Sequence, residues 1–196
     1  MDGPIRTDRD LIRAVGACRD YDALAELVRR WDRPIYDFLA KASGNLESAK
    51  DLRQEVFLRV FRHASTYDPR YAFTTWLFRI AVNQLRTWQS HERRPDRATV
   101  PLDDVLDLPA MAEQYPPPDR LAMRVEMKER VRLTMNALEE HEREILLLRF
   151  QLDMNYREIG DVLGIPETTA KSRVYSLLLR LRDPLSDYRA AERTSL

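Results

Sequence analysis

The stretch Tyr156-Arg-Glu-Ile-Gly-Asp-Val-Leu-Gly-Ile-Pro-Glu-Thr-Thr-Ala-Lys-Ser-Arg-Val-Tyr175 leaves the chain little conformational choice. Apolar residues recur at Ile159, Val162 and Leu163, then at Ala170, Val174, Leu177, Leu178 and Leu181, which is helical spacing on both sides of a break at Gly164. Glycine suits the left-handed position that ends a helix, Pro166 stands where a missing N–H costs little, and Thr168 or Thr169 is placed to accept from free amides of the next turn. The pattern predicts a helix-turn-helix. With Ala170, Val174, Leu177 and Leu181 turned inward, Glu167, Thr168, Lys171, Ser172, Tyr175 and Ser176 remain near the outer face, where such motifs touch base edges and phosphates. Lys171, Arg173, Arg180 and Arg182 against Glu167 make residues 165–182 basic by 4 − 1 = +3.

The rest of the chain reads as helical too. Leu24, Leu27, Val28, Trp31, Ile35, Phe38 and Leu39 form an amphipathic pattern over residues 20–39, with Pro34 either kinking it or dividing it. Leu52, Val56, Phe57, Val60 and Phe61 give a second helix from Ala49 to His63, and a long helix is expected from about Phe73 to Arg93. Residues 95–119 differ: Pro95, Pro101, Pro109 and Pro116-Pro117-Pro118 sit among six acids against Arg97, with no sustained period. They read as a flexible acidic, proline-rich linker. Helical spacing resumes at Leu121, Val125, Val131 and Leu138. The expected fold is all-α: a tail over 1–19, a helical domain over 20–94, a linker over 95–124, a helix-turn-helix domain over 125–188 and a tail over 189–196.

Composition narrows the function. Hydrophobic residues at 44% and charged ones at 33% are ordinary for a soluble protein, and 32 basic against 32 acidic residues argue against attachment to nucleic acid by bulk charge. Cys18 is alone, which excludes an internal disulfide and a cysteine-based zinc site. No apolar run has the length a bilayer needs and the N-terminus is too charged for a signal peptide, so a cytoplasmic protein without membrane contact is expected. His91-Glu92 and His141-Glu142 begin like zinc-protease helices, but the second histidine would fall at Pro95 and Ile145. With the five glycines scattered there is no phosphate loop, so neither catalysis nor a cofactor or metal is expected. Phe73, Trp76, Phe78 and Trp88 instead alternate with Arg79, Arg86 and Asn83, a mixture able to stack on unpaired bases while arginines hold phosphates. Trp76, Leu77 and Ile80 fit a core role equally well. Asn83 needs a reason, because an amide inside a helix is mildly unfavourable.

Four segments carry a resemblance: Asp51-Leu-Arg-Gln-Glu-Val-Phe-Leu58, Trp76-Leu-Phe-Arg-Ile-Ala-Val-Asn83, Arg143-Glu-Ile-Leu-Leu-Leu-Arg149, and Tyr156-Arg-Glu-Ile-Gly160 through Ala170-Lys-Ser-Arg173. In order and spacing they resemble the extracytoplasmic-function sigma factors of bacterial RNA polymerase, of the sigma-70 family. The resemblance implies an alternative initiation factor, with no active site, that joins core polymerase to promoter DNA and helps melt it. Asp51, Leu52, Gln54, Glu55, Leu58 and Arg59 would bind the clamp helices of the largest subunit. Arg70, Tyr71, Phe73, Trp76, Arg79, Asn83 and Arg86 would read the minus-10 element, including a flipped base. Thr168, Lys171, Ser172, Arg173, Tyr175 and Ser176 would lie on minus-35 DNA, with the polymerase flap as the second domain's protein partner. The linker would enter the polymerase's basic channels.

Departures from the family pattern are informative. Where an Asp-Ala-Glu-Asp patch is usual, this chain has Ser48-Ala49-Lys50-Asp51. Either Glu47 and Glu55 compensate, or a Ser/Thr kinase restores charge at Ser48 or Thr66, since a phosphate brings roughly −1.5 to −2 units. Control by an anti-sigma factor is equally compatible with the sequence. Thr87 replaces a frequent aspartate, and Thr169 and Ala170 replace glycine and valine, which leaves the promoter sequence open. A stand-alone helix-turn-helix regulator is the competing reading, and it assigns nothing to Phe73–Arg94.

Overall fold

The structure, a computed structural model, describes residues 6–91, 133–134 and 137–194, with residues 182–194 described by backbone alone. Every described element is helical. Residues 8–18, expected within a tail, form helix α1 (Asp8–Cys18). A reciprocal cap starts it: Asp10 N–H donates to the Thr7 hydroxyl, and Thr7 N–H to the Asp10 carboxylate, each at 3.2 Å. Leu11, Ile12 and Val15 are buried. Three buried residues on one face make α1 part of the core, which a charged N-terminal sequence obscured.

Asp20 caps α2 (Tyr21–Ser43) by accepting from Ala23 N–H at 2.9 Å. Pro34 lies inside this helix and does not end it. The missing N–H is tolerated because burial of Leu27 before it and Ile35, Phe38 and Leu39 after it holds both halves in one direction. Gly44, at φ +67°, closes α2, and Asn45 caps α3 (Leu46–His63) through Ser48 N–H at 3.0 Å. A 3₁₀ turn, Ala64–Thr66, leads through residues 67–72 into α4 (Phe73–His91). Phe38 meets Phe78 edge-on at 5.3 Å, and Trp31 meets Phe78 at 6.2 Å and Phe73 at 6.0 Å, so aromatic edges join α2 to α4.

The second group of helices is α5 (Glu140–Leu146), a π turn (Leu147–Gln151), α6 (Tyr156–Leu163) and α7 (Glu167–Thr194). Ile145, Leu148, Ile159, Val162, Ala170, Val174 and Leu177 form its buried centre. The α7 backbone runs to Thr194, so most of the expected C-terminal tail is helix. The linker at 95–124, and the helical spacing expected at Leu121, Val125 and Val131, lie outside the described residues.

The two groups touch. Helix α4 packs beside α6 and α2 beside α5. Arg143 donates to the Ala42 carbonyl at 3.3 Å, joining the start of the second group to the end of α2.

Candidate nucleic-acid and polymerase interfaces

Helices α6 and α7 make the turn their sequence requires. Asn155 caps α6 by accepting from Glu158 N–H at 3.0 Å, and Gly164 closes it at φ +70°. A Cβ on Gly160 would stand 2.6 Å from the Ile165 carbonyl oxygen, so the hairpin closes only with glycine there. Helix α7 starts at Glu167, which puts Thr168 and Thr169 inside its first turn rather than at the cap. Ala170, Val174 and Leu177 are buried while Thr168, Lys171, Ser172, Arg173, Tyr175 and Ser176 are exposed, Tyr175 by 54%. The six are not equivalent. Ser172, Arg173 and Ser176 line a cleft against α5 with His141, Glu142 and Arg180, whose guanidinium pairs with Glu142.

The loop before α4 is held in one shape by its own polar groups. Tyr71 N–H donates to the Asp68 carbonyl at 3.1 Å, Arg70 N–H to the Asp68 carboxylate at 2.9 Å, and the Tyr67 phenol to the Tyr71 carbonyl at 2.8 Å. The hydrogen-bonded Arg70 guanidinium lowers the Asp68 carboxyl below its usual value, and Asp68 raises that of Arg70 in return. Burial pushes the Tyr67 phenol up, opposed by Arg9. Arg70 and Tyr71 project outward.

Along α4, Trp76 is half-buried, and Arg79, Asn83 and Arg86 are exposed at spacing that puts all four on one stripe. Phe73 does not belong with them. It is only 6% exposed, packed edge-on against Trp31 and Tyr67, so its ring supports the loop from below and is closed to a base. Period alone could not separate it from Trp76, because both flank the point where loop becomes helix.

On α3, Asp51, Gln54 and Leu58 are exposed and Glu55 is half-exposed, forming a stripe with Glu47. Leu52 is 7% exposed and faces the core, where the i, i+4, i+8 series Leu52, Val56 and Val60 puts it. It therefore lies outside the exposed stripe of α3. Arg59 is exposed but pairs with Glu55 at 3.1 Å. Ser48 is half-buried in the first turn of α3, and Thr66 is exposed with its hydroxyl donating to the His63 carbonyl at 2.8 Å.

Glu144 is the group that sequence reasoning missed. It is 1% exposed, and its carboxylate accepts two bonds from the Arg86 guanidinium, at 2.9 and 3.2 Å. Burial raises its carboxyl above the ordinary glutamate value, and Arg86 opposes that rise. Nothing local marks Glu144, since its hydrogen-bond partner lies 58 residues away. Further along the same seam Arg70, Tyr71, Ala72 and Thr75 face Asn155, Arg157, Glu158 and Asp161 across a cavity of ≈ 200 Å³. Part of the surface expected to meet a DNA strand thus meets carboxylates of the second helical group.

Known proteins resemble both helical groups. The Sigma-70 region 2 family matches residues 27–94, and Sigma-70, region 4 matches residues 128–181. The ECF RNA polymerase sigma factor RpoE of Cereibacter sphaeroides is 30% identical over 179 residues, covering 90% of this chain and 93% of its own. SigW of Bacillus subtilis, also an ECF RNA polymerase sigma factor, is 29% identical over 173 residues, covering 86% and 91%. The solved structure of CnrH in complex with the cytosolic domain of CnrY shares the fold, with a TM-score of 0.61, 24% identity, and coverage of 94% of this chain and 97% of the other. The chain belongs to the extracytoplasmic-function sigma factors of bacterial RNA polymerase.

Proposed function

We propose that this sigma factor grips promoter DNA at two places and polymerase on separate faces, using binding alone and no chemistry of its own. Residues 20–94 and 125–188 form the two working parts, with α1 added to the first. Helix α7 enters the major groove of minus-35 duplex, with Thr168, Lys171 and Tyr175 toward the bases and Ser172, Arg173 and Ser176 at the α5 edge near the phosphate backbone. The loop residues Arg70 and Tyr71, with Trp76, Arg79, Asn83 and Arg86 on α4, take the unpaired minus-10 strand. Extruding a base costs a few kcal/mol of stacking, which aromatic surfaces and arginines must offset. Asp51, Gln54, Glu55, Leu58 and Arg59 present the α3 face to the polymerase clamp in the cytoplasm.

The observation that carries the assignment is the sidedness of α7. Lys171 and Tyr175 are exposed opposite buried Ala170, Val174 and Leu177, so the helix is anchored by one face and free to read with the other. Transcription reconstituted with core polymerase tests it. Lys171→Ala should weaken minus-35 duplex binding and reduce its salt slope by about one counterion. Asn83→Ala should spare duplex binding and impair use of a pre-melted minus-10 strand. Wild-type transcription by both variants would refute the assignment.

Phosphorylation fits the α3 face as its regulation. Ser48 lies in the first turn, where the helix dipole favours negative charge, beside the Lys50–Glu47 pair at 2.6 Å. Core polymerase should bind the Ser48-phosphorylated protein more tightly than the unmodified one, and equal affinities would remove this reading. Thr66 is the second candidate for the same modification.

A further inference from the structure

The seam beside the minus-10 loop holds a polar group with nothing to bond. Thr75 is 4% exposed, and its hydroxyl is buried with no hydrogen-bond partner among the described residues. A threonine inside a helix ordinarily satisfies its hydroxyl on the carbonyl of the residue three or four positions earlier. Here the carbonyl four residues back belongs to Tyr71, which lies before the helix and accepts instead from the Tyr67 phenol at 2.8 Å. Thr75 lines the cavity together with Arg70, Tyr71 and Ala72. Buried polar groups left unsatisfied in a folded protein are uncommon and costly, so each calls for an explanation.

We infer that Thr75 is a specificity-determining residue of the minus-10 reader, its hydroxyl bonding the edge of an extruded nucleobase held between Arg70 and Tyr71. This rests on the minus-10 assignment proposed above. The three side chains have complementary chemistry: Arg70 offers charge to a phosphate, Tyr71 an exposed ring for stacking, and Thr75 a group that can donate to or accept from a base edge. Phe73 and Tyr67 are packed edge-on at 6.2 Å, which holds the start of α4 against the loop. In the described arrangement α6 forms the opposite wall with Glu158 and Asp161, so a strand gains this site when that wall withdraws.

The test uses the full chain with core polymerase and fluorescent single-stranded minus-10 oligonucleotides carrying each base, or an abasic site, at each position. Thr75→Val keeps the shape and removes the hydroxyl; Thr75→Ser keeps the hydroxyl. Thr75→Val should lose about fivefold discrimination at one position, the scale of one hydrogen bond. Thr75→Ser should retain it, and an abasic site at that position should make wild type and Thr75→Val equal. Thermal stability of Thr75→Val should equal or exceed wild type, because no bond of the folded protein is lost. If Thr75→Val discriminates as wild type does while Asn83→Ala is impaired, the inference fails and the minus-10 assignment stands. If Asn83→Ala also binds every oligonucleotide normally, the assignment fails and takes the inference with it. A stability loss in Thr75→Val with unchanged base preference would show a structural hydroxyl and overturn the proposal.

Discussion

Replacing Arg86 by methionine should destabilise the protein in a way that depends on pH and is repaired by a second substitution. Glu144 is 1% exposed, whereas the Arg86 side chain keeps 43% of its surface, so removing the arginine strands a carboxylate and removing the carboxylate leaves a hydrated cation. Breaking a buried pair from the side that leaves the charge inside costs about 3–5 kcal/mol. Solvent access to Arg86 screens the pair, which brings the expected loss nearer to ~2 kcal/mol. Methionine keeps the apolar stem in place, so the loss measures charge rather than packing. In urea, with a slope of about 2 kcal/mol/M, the midpoint should fall by about 1 M at pH 8. Glu144→Gln should cost less than ~1 kcal/mol, since it also removes the burial penalty of the carboxylate. The double variant should resemble Glu144→Gln.

The sign of the pH effect follows from the raised carboxyl of Glu144. An acid whose folded value lies above its unfolded value, about 4.3 for glutamate, gives stability that is complete below 4.3 and is lost as pH rises through the folded value. Without Arg86 the folded value rises further, so the deficit of Arg86→Met should widen from pH 5 to pH 8. Urea titrations followed by tryptophan fluorescence at both pH values measure it. A deficit independent of pH, or a Glu144→Gln variant as unstable as Arg86→Met, would refute the reasoning.

Other substitutions separate the parts. Arg9 on α1 donates to the Pro69 carbonyl, so Arg9→Ala should loosen the loop, accelerate amide exchange at residues 68–72 and weaken minus-10 strand binding severalfold, leaving minus-35 duplex binding unchanged. Gly164→Ala should cost about 1 kcal/mol through its left-handed φ of +70°, read as a lower urea midpoint. Gly160→Val should cost more than Gly164→Ala, because a Cβ there stands 2.6 Å from the Ile165 carbonyl oxygen and the hairpin must open to admit it. Leu52→Ala should lower stability by about 2–4 kcal/mol, and Leu58→Ala should leave stability near wild type while weakening core polymerase binding.

What was legible in the sequence was whatever a periodic face decides. Ala170, Val174 and Leu177 lie inward because their spacing admits one buried face, and the same spacing leaves Lys171, Ser172 and Tyr175 outside. Gly164 was legible because a glycine between two periodic runs has few other uses, and its left-handed backbone follows. Leu52 and Phe73 show where a family motif misleads: the motif marks a segment, and packing decides which of its side chains reach the surface. Leu52 shares its period with Val56 and Val60, which could have withdrawn it from the docking face. Phe73 sits at a junction where no period applies. Glu144 and Thr75 were illegible for a different reason. Each carries a buried polar group whose partner no local pattern supplies: Glu144 finds Arg86, and Thr75 finds none among the described residues. Local pattern predicts which face of a helix is apolar, but the chemistry of a seam between two helical groups is set by both sides at once. At that seam the surface expected to meet the minus-10 strand faces carboxylates of the second helical group, so residues on both sides set what that surface presents.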